Sequence, residues 1–134
     1  MTTNGNAIAN SGLAIQRIRQ IAIHVHDPDR AVAFYRDILG LKLLFRAGQL
    51  AFFDCDGIRL MLGPPEKPEF DHPSSIVYFK VGDIQHAYAQ MQASNVKTEG
   101  VPNLIARMPD HDLWLAGFRD SEGNLLCLMA EVPR

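Results

Sequence analysis

The chain has 134 residues, of which 47% are hydrophobic and 21% are charged, and its formal net charge is −2. This length suits one ordinary domain, or two very small modules that share a core. Basic residues are scattered among acidic ones without forming a stripe, so we expect no nucleic-acid partner. No apolar run reaches membrane-spanning length, so we expect no membrane partner either.

The first 16 residues are small and polar and contain neither a basic stretch nor a long apolar one, so they do not resemble a signal peptide. We expect residues 1–16 to form a flexible segment. Two cysteines, Cys55 and Cys127, show neither metal-finger spacing nor a disulfide framework. Together these features favour a reduced, cytoplasmic location.

The first half of the chain predicts one strand, one helix and three short strands. Alternating polar and β-branched residues predict the first strand over residues 19–25. Asp27 suits the helix cap, Pro28 suits the first helical position, and apolar residues recur at helical spacing over 29–39 until Gly40. The three strands are predicted over 41–45, 50–54 and 58–62, with an Asp-Gly turn between the last two.

The second half predicts the same order of elements. A stretch rich in proline and charge, residues 63–74, is typical of a linker. A strand and a helix capped by Asp83 follow the linker, and then two weak strand candidates lie on either side of a glycine and proline break. The predicted ranges are 75–81 for the strand, 84–94 for the helix, 96–99 and 105–107 for the weak strands, and 113–119 and 124–130 for the last two.

The two halves repeat one another in sequence. Val25 and Asp27 match Val81 and Asp83 at one constant offset, and the turn glycines Gly57 and Gly123 match at a second. We therefore predict an α+β fold of two βαβββ modules with pseudo-two-fold symmetry. The modules span about 17–62 and 75–132 and form a single domain over 17–132. In such a fold a site usually lies where the modules meet.

The string DPDRAVAFYRDILGLKLL, with a second half that ends in FRDSEGNLLCLM, resembles the vicinal oxygen chelate superfamily. That superfamily includes glyoxalase I, the bleomycin and fosfomycin resistance proteins and extradiol dioxygenases. The resemblance implies that the two modules form a cupped, barrel-like sheet. It also implies four inward-facing metal positions, one on the first and one on the last strand of each module. Counted from the helix cap and the turn glycine of each half, these positions are Gln20, Met61, Ile76 and Cys127.

These four positions lack the histidine and glutamate ligands that most metal enzymes of the superfamily carry. Glutamine is an accepted ligand in some glyoxalases, but isoleucine cannot coordinate a metal. Hard and borderline divalent ions need oxygen or imidazole donors. A methionine and cysteine pair could suit Cu(I), but two sulfurs are more often part of a core. We therefore expect no metal at these positions and no cofactor.

Strand parity places further polar side chains on the same inner face. His24 could hydrogen-bond a ligand or move a proton, and Arg59 could clamp an anionic group; each could instead be satisfied internally. Tyr78 offers a ring and a hydroxyl, and Trp114, in a loop beside a Pro-Asp-His turn, could form a rim or lid; each could instead be plain packing. The opposite faces are apolar and should pack under the helices: Ile21, Ile23, Val25, Leu60, Leu62, Val77, Phe79, Val81, Leu126 and Leu128.

Several functions remain open at this point. The missing ligands favour a glyoxalase-like or bleomycin-resistance-like protein with a small-molecule pocket in the sheet cup and no divalent metal. The alternatives are a lyase, isomerase or dioxygenase-like enzyme with a non-standard site, or a structural module whose cup is filled by side chains. Family members commonly pair and short strands leave open edges, so we expect a homodimer.

Overall fold

The computed structural model describes residues 12–134, so the expected flexible segment falls mostly on residues outside this range. The strands are β1 (Gln20–His24), β2 (Lys42–Ala47), β3 (Leu50–Cys55), β4 (Ile58–Gly63), β5 (Val77–Lys80), β6 (Thr98–Arg107), β7 (His111–Arg119) and β8 (Leu125–Pro133). The helices are α1 (Pro28–Ala33), which continues as a π-helix over Phe34–Ile38, a 3₁₀ turn at Pro68–Phe70, and α2 (Ile84–Ala93). Within 12–134, no helix is both long and apolar enough to cross a membrane.

The two halves form two four-stranded sheets with the same strand order. The orders are β1-β4-β3-β2 and β5-β8-β7-β6. In each sheet the first strand pairs in parallel with the last, and the remaining pairs are antiparallel. The predicted α+β fold of two βαβββ modules is therefore confirmed. Both sheets are open, so β1, β2, β5 and β6 each have one free edge.

The helix starts and the turns lie at the capping and turn residues that the sequence predicts. The Asp27 carboxylate accepts the backbone N–H of Arg30 at 3.1 Å, and the Asp83 carboxylate accepts that of His86 at 3.0 Å. These bonds satisfy donors that the first turn of a helix leaves free. The β3–β4 turn needs positive φ at both Asp56 (50°) and Gly57 (91°), which the Asp-Gly pair tolerates.

The first helix differs from the regular helix that its spacing predicts. The Leu39 N–H donates to the Phe34 carbonyl at 3.0 Å, five residues earlier, so the second half is a π-helix. A wider turn of this kind persists where tertiary contacts compensate for it. Here Tyr35, which is fully buried, donates from its hydroxyl to Asp120 of the other module at 2.8 Å.

The second strand of the second module, β6, also differs from the prediction. The two weak candidates are one continuous strand, β6, which runs through Gly100 and Pro102. Its pairing with β7 changes register between Glu99 and Asn103 and again between Leu104 and Ala106. An edge strand tolerates proline because the backbone groups on one of its sides need no partner strand. At the register shifts, residues of β6 remain unpaired and the strand continues past them.

One hydrophobic core lies between the sheets and the helices and draws on both modules. The apolar strand faces pack into it as predicted, because six of those ten side chains are buried and the others pack partly buried against them. The largest fully buried side chains are Tyr35, Phe53, Phe118, Ile23, Leu60, Leu62, Leu126 and Val25. Because the core is shared, we propose that residues 17–132 form a single domain with 63–74 as its linker.

The β7–β8 turn joins the second module to the first through three polar side chains. Asp120 accepts the Tyr35 hydroxyl, and Asn124 donates from Nδ2 to the His24 carbonyl at 3.0 Å. Glu122, whose side chain is only 1% exposed, accepts the Arg30 guanidinium at 2.7 Å. Burial raises the Glu122 pKa, but this bond, further N–H and hydroxyl donors and the Arg30 charge outweigh burial and lower the pKa to about 2.

Candidate functional site

The inner face of the first module brings together Gln20, Arg59 and Met61. Gln20 lies directly opposite Arg59 in the β1–β4 pairing. Its Oε1 accepts the Arg59 Nε–H at 3.1 Å, and its Nε2 lies 3.7 Å from the Met61 sulfur. The side-chain oxygen that would serve as a metal ligand is therefore already bonded to a cation.

Arg59 carries a charge without a carboxylate partner among residues 12–134, where six other Arg or Lys side chains pair with a carboxylate. Asp54 faces it across the β3–β4 pairing, but that carboxylate accepts the Gly57 N–H instead. The guanidinium lies 5.5 Å from the Phe52 ring centroid. Phe52 in turn stacks on Phe45 with centroids 4.5 Å apart and planes at 21°. A cation beside two stacked rings suits a flat anionic molecule.

The inner face of the second module is more apolar. Tyr78 is 50% exposed and lies opposite Cys127 in the β5–β8 pairing, and Ile76, just before β5, is 43% exposed. Cys127 is buried, its thiol donates to the Leu128 carbonyl at 3.3 Å, and burial raises its pKa. A thiol held protonated in this way is a poor nucleophile and a poor metal ligand.

The four family positions do not fit the divalent metal that the superfamily fold implies. Ile76 has no donor atom, the Gln20 oxygen is bonded to Arg59, and the Cys127 thiol resists ionisation. Met61 offers only a thioether, which is a weak ligand for Zn²⁺, Ni²⁺ or Fe²⁺. Among residues 12–134, no three His, Cys, Asp or Glu side chains are grouped so that they could hold a metal ion.

His24, at the end of β1, connects the inner face to the space between the modules. Together with Ala22 and Met61 it lines a small pocket of about 110 Å³ on the first module. It also lines a larger pocket between the modules. Its Nδ1 is buried without a hydrogen-bond partner, so the ring has unused hydrogen-bonding capacity.

Trp114 lies in β7, which includes the strand predicted over 113–119. It pairs in register with Leu104 on one side and Ala130 on the other, and it packs half-buried against the core. It is not among the residues that line either pocket around His24.

The pocket between the modules, where the duplicated fold predicts a site, has a volume of about 480 Å³. The end of β1, the linker, the start of β5 and the β7–β8 turn meet there. Its polar lining consists of His24, His26, Asp71, His72, Ser74, Arg119, Glu122 and Asn124. No spacing in the chain links the linker histidine to the other two, because only tertiary packing places the linker against β1. We call this space the junction pocket.

Comparison with known proteins supports the two-module fold. A stretch of 79 residues is 30% identical to the metallothiol transferase FosB of Lysinibacillus sphaericus (strain C3-41). This stretch covers 59% of this chain and 48% of FosB, so the match spans about half of that relative's length. A superfamily member from Sphaerobacter thermophilus DSM 20745 superposes with a TM-score of 0.75 at 22% identity, over 89% of this chain and 100% of that one. TnmS3, an antibiotic binding protein from Streptomyces sp. CB03234, superposes with a TM-score of 0.70 at 21% identity, over 90% and 99%.

A family model decides the assignment, because it matches most of the chain. The model describes the Glyoxalase/Bleomycin resistance protein/Dioxygenase superfamily and matches residues 17–128. The superposed structures share the two-module architecture described above. The chain therefore belongs to the Glyoxalase/Bleomycin resistance protein/Dioxygenase superfamily.

Proposed function

We propose that this chain is a small-molecule-binding member of its superfamily that works without the usual divalent metal. The observation that carries the proposal is the donor set at the four family positions. Ile76 has no donor, Cys127 is a buried thiol, and the Gln20 oxygen accepts from Arg59. A site of this composition can hold an organic ligand, but it offers a divalent ion almost no charge or hard donor.

The ligand that the inner face of the first module fits is a flat, partly apolar molecule with an anionic group. Arg59 supplies a cation whose only side-chain hydrogen-bond partner among residues 12–134 is a neutral amide. Phe52 and Phe45 supply stacked aromatic surface next to it. A partly buried guanidinium gains free energy when a carboxylate or phosphate pairs with it, because its remaining N–H donors can then bond bidentately.

The related proteins divide between binding and catalysis. TnmS3 is described as an antibiotic binding protein, which matches this proposal. FosB is a metallothiol transferase, and its match covers only part of each chain. The second candidate is therefore an enzyme of the superfamily with a non-standard site. His24 is its candidate for proton transfer, because its buried Nδ1 has no hydrogen-bond partner among residues 12–134.

The proposal is tested by thermal shift with a matched pair of probes, naphthoate and its uncharged amide. We expect naphthoate to stabilise the wild type more than the amide does, and Arg59→Met to remove that difference. Arg36→Met is the matched control, because Arg36 is an exposed helix residue paired with Asp37. Equal stabilisation of wild type and Arg59→Met by naphthoate would show that Arg59 is structural and would refute its role as anchor.

Elemental analysis of the purified protein separates binding from metal catalysis. We expect no stoichiometric divalent metal. Near-stoichiometric metal that disappears in Gln20→Ala would restore the family site and contradict the proposal. Metal that survives Gln20→Ala would point to other ligands, with His24 as the first to test, and would favour the enzyme alternative.

We further propose that two copies of the chain form a homodimer and that the protein is cytoplasmic. Apolar side chains stay exposed on the strands of both sheets, including Leu44 (40%), Val101 (59%) and Ile105 (54%). Since β2 and β6 are also edge strands, a second copy could cover both the apolar surface and the free edges. The location rests on the two free cysteines, Cys55 and Cys127, which form no disulfide.

A further inference from the structure

The junction pocket differs in chemistry from the inner face of the first module. Its lining comes from both modules and the linker, and its volume of about 480 Å³ accommodates a small organic molecule. Arg59, Phe45 and Phe52 are not among the residues that line it. A ligand that occupies this pocket would therefore meet a different set of side chains from a ligand held by Arg59.

Every charged group that lines the junction pocket already has an opposite charge or an ionisable partner. The Arg119 guanidinium pairs with Glu99 at 3.1 Å, and the Glu122 carboxylate pairs with Arg30 at 2.7 Å. The Asp71 carboxylate bonds the His26 ring at 2.9 Å. A charged ligand would have to compete with these pairs, so the lining favours an uncharged molecule.

The three imidazole rings provide hydrogen-bonding capacity that the protein leaves unused. The His26 Nε2 must carry a proton, because it bonds a carboxylate, and the His72 Nδ1 must carry one, because it bonds the Pro73 carbonyl at 3.1 Å. In the neutral rings the opposite nitrogens, His26 Nδ1 and His72 Nε2, are therefore acceptors. They are free of hydrogen bonds from residues 12–134.

His24 supplies the complementary donor. Its Nδ1 is buried without a partner, and a buried lone pair without a partner costs less than a buried N–H without one. The proton of the neutral ring therefore belongs on Nε2. The His24 and His72 rings lie 6.3 Å apart, centroid to centroid, in an edge arrangement, so a donor and an acceptor are presented within the span of one small molecule.

We propose that the junction pocket is a second binding site, and that it takes a neutral, hydroxyl-rich small molecule. A hydroxyl group both donates and accepts, so adjacent hydroxyls can bond the His24 N–H and the His26 and His72 acceptor nitrogens together. Ile76 and Leu125 contribute an apolar wall for the carbon skeleton. This site is independent of the proposed Arg59 anchor.

The test follows the histidine ring signals of the intact protein by NMR while neutral polyols are added. The probes are glycerol, inositol and glucose, with gluconate as the anionic match for glucose. We expect at least one neutral polyol to shift the His24 and His72 signals in a saturable manner, and gluconate to bind no more tightly than glucose.

Two substitutions make the result specific. His72→Phe should weaken binding about fivefold to tenfold, the effect of losing one hydrogen bond. His86→Phe is the matched control, because His86 is an exposed histidine on α2 outside this pocket. Arg59→Met should leave the polyol shifts unchanged, which separates this site from the inner-face proposal.

Three outcomes would overturn the inference. The first is the absence of any saturable shift with the three neutral polyols, which would make the junction a hydrated groove only. The second is much tighter binding of gluconate than of glucose, which would show an anion site. The third is equal weakening by His72→Phe and His86→Phe, which would place the polyol elsewhere.

Discussion

Tyr35→Phe tests whether the buried bond between the modules stabilises the fold. The Tyr35 hydroxyl donates to the Asp120 carboxylate at 2.8 Å; Tyr35 is 0% exposed and Asp120 is 6% exposed. Burial, together with the Asp120 charge, raises the pKa of the Tyr35 hydroxyl, so this group is protonated and acts as the donor. The substitution removes one hydroxyl and leaves the ring against Phe34 and Phe53.

The expected loss follows from what Asp120 retains. Its carboxylate still accepts the Glu122 N–H at 2.8 Å, the Asn124 N–H at 2.9 Å and the Asn124 Nδ2–H at 2.9 Å. The carboxylate is therefore not left without partners, and only one charge-assisted hydrogen bond is lost. Such a bond contributes about 2 kcal/mol to the free energy of unfolding. For a chain of this length that corresponds to a fall in Tm of roughly 6–8 °C.

Urea denaturation at one fixed protein concentration measures this change, with circular dichroism as the signal. Tyr88→Phe is the matched control, because Tyr88 packs half-buried against the core and its hydroxyl forms no hydrogen bond within residues 12–134. The control should stay within about 0.5 kcal/mol of wild type. If Tyr35→Phe changes the free energy of unfolding no more than Tyr88→Phe does, the bond to Asp120 does not hold the modules together.

Three further predictions concern acid stability, helix capping and assembly. The folded-state pKa of Glu122, about 2, lies below its ordinary 4.5, so the stability that the Glu122 carboxylate contributes is present above about pH 4.5 and is lost as the pH falls toward 2. In urea titrations across that range, the free energy of unfolding of Glu122→Gln should fall less with pH than that of wild type. The same dependence on pH in both proteins would contradict the assignment. Asp83→Ala should lower the free energy of unfolding by about 1 kcal/mol, because the His86 N–H loses its cap, and an unchanged midpoint would count against it. Light scattering at micromolar concentration should give the mass of a dimer, and a monomer mass would exclude the proposed pairing.

The sequence by itself determined the modules and their local architecture, because these depend on short-range chemistry. Asp27 and Asp83 cap helices by accepting a backbone N–H three residues later. The Asp-Gly pair favours a tight turn because both residues tolerate positive φ. Strand alternation separated the face with Ile23 and Leu60 from the face with Gln20 and Arg59, because side chains on a strand point to opposite sides in turn.

Tertiary structure alone decided how distant residues meet. Arg59 could have paired with an acidic neighbour, but in the structure it bonds Gln20, and only the packing of β1 beside β4 shows this. Tyr35 in the π-helix donates to Asp120, which lies 85 positions away in the sequence. The residues beside Trp114, Leu104 and Ala130, are placed there only by the pairing of β7 with β6 and β8.

The junction pocket is the clearest case of a site that the sequence does not predict in detail. Its three histidines come from the end of β1 and from the linker, and no periodic pattern connects those segments. Their protonated nitrogens follow from contacts with Asp71 and the Pro73 carbonyl, and from the burial of the His24 Nδ1. A sequence can supply such side chains, but their free donors and acceptors depend on which partners the folded chain brings to them.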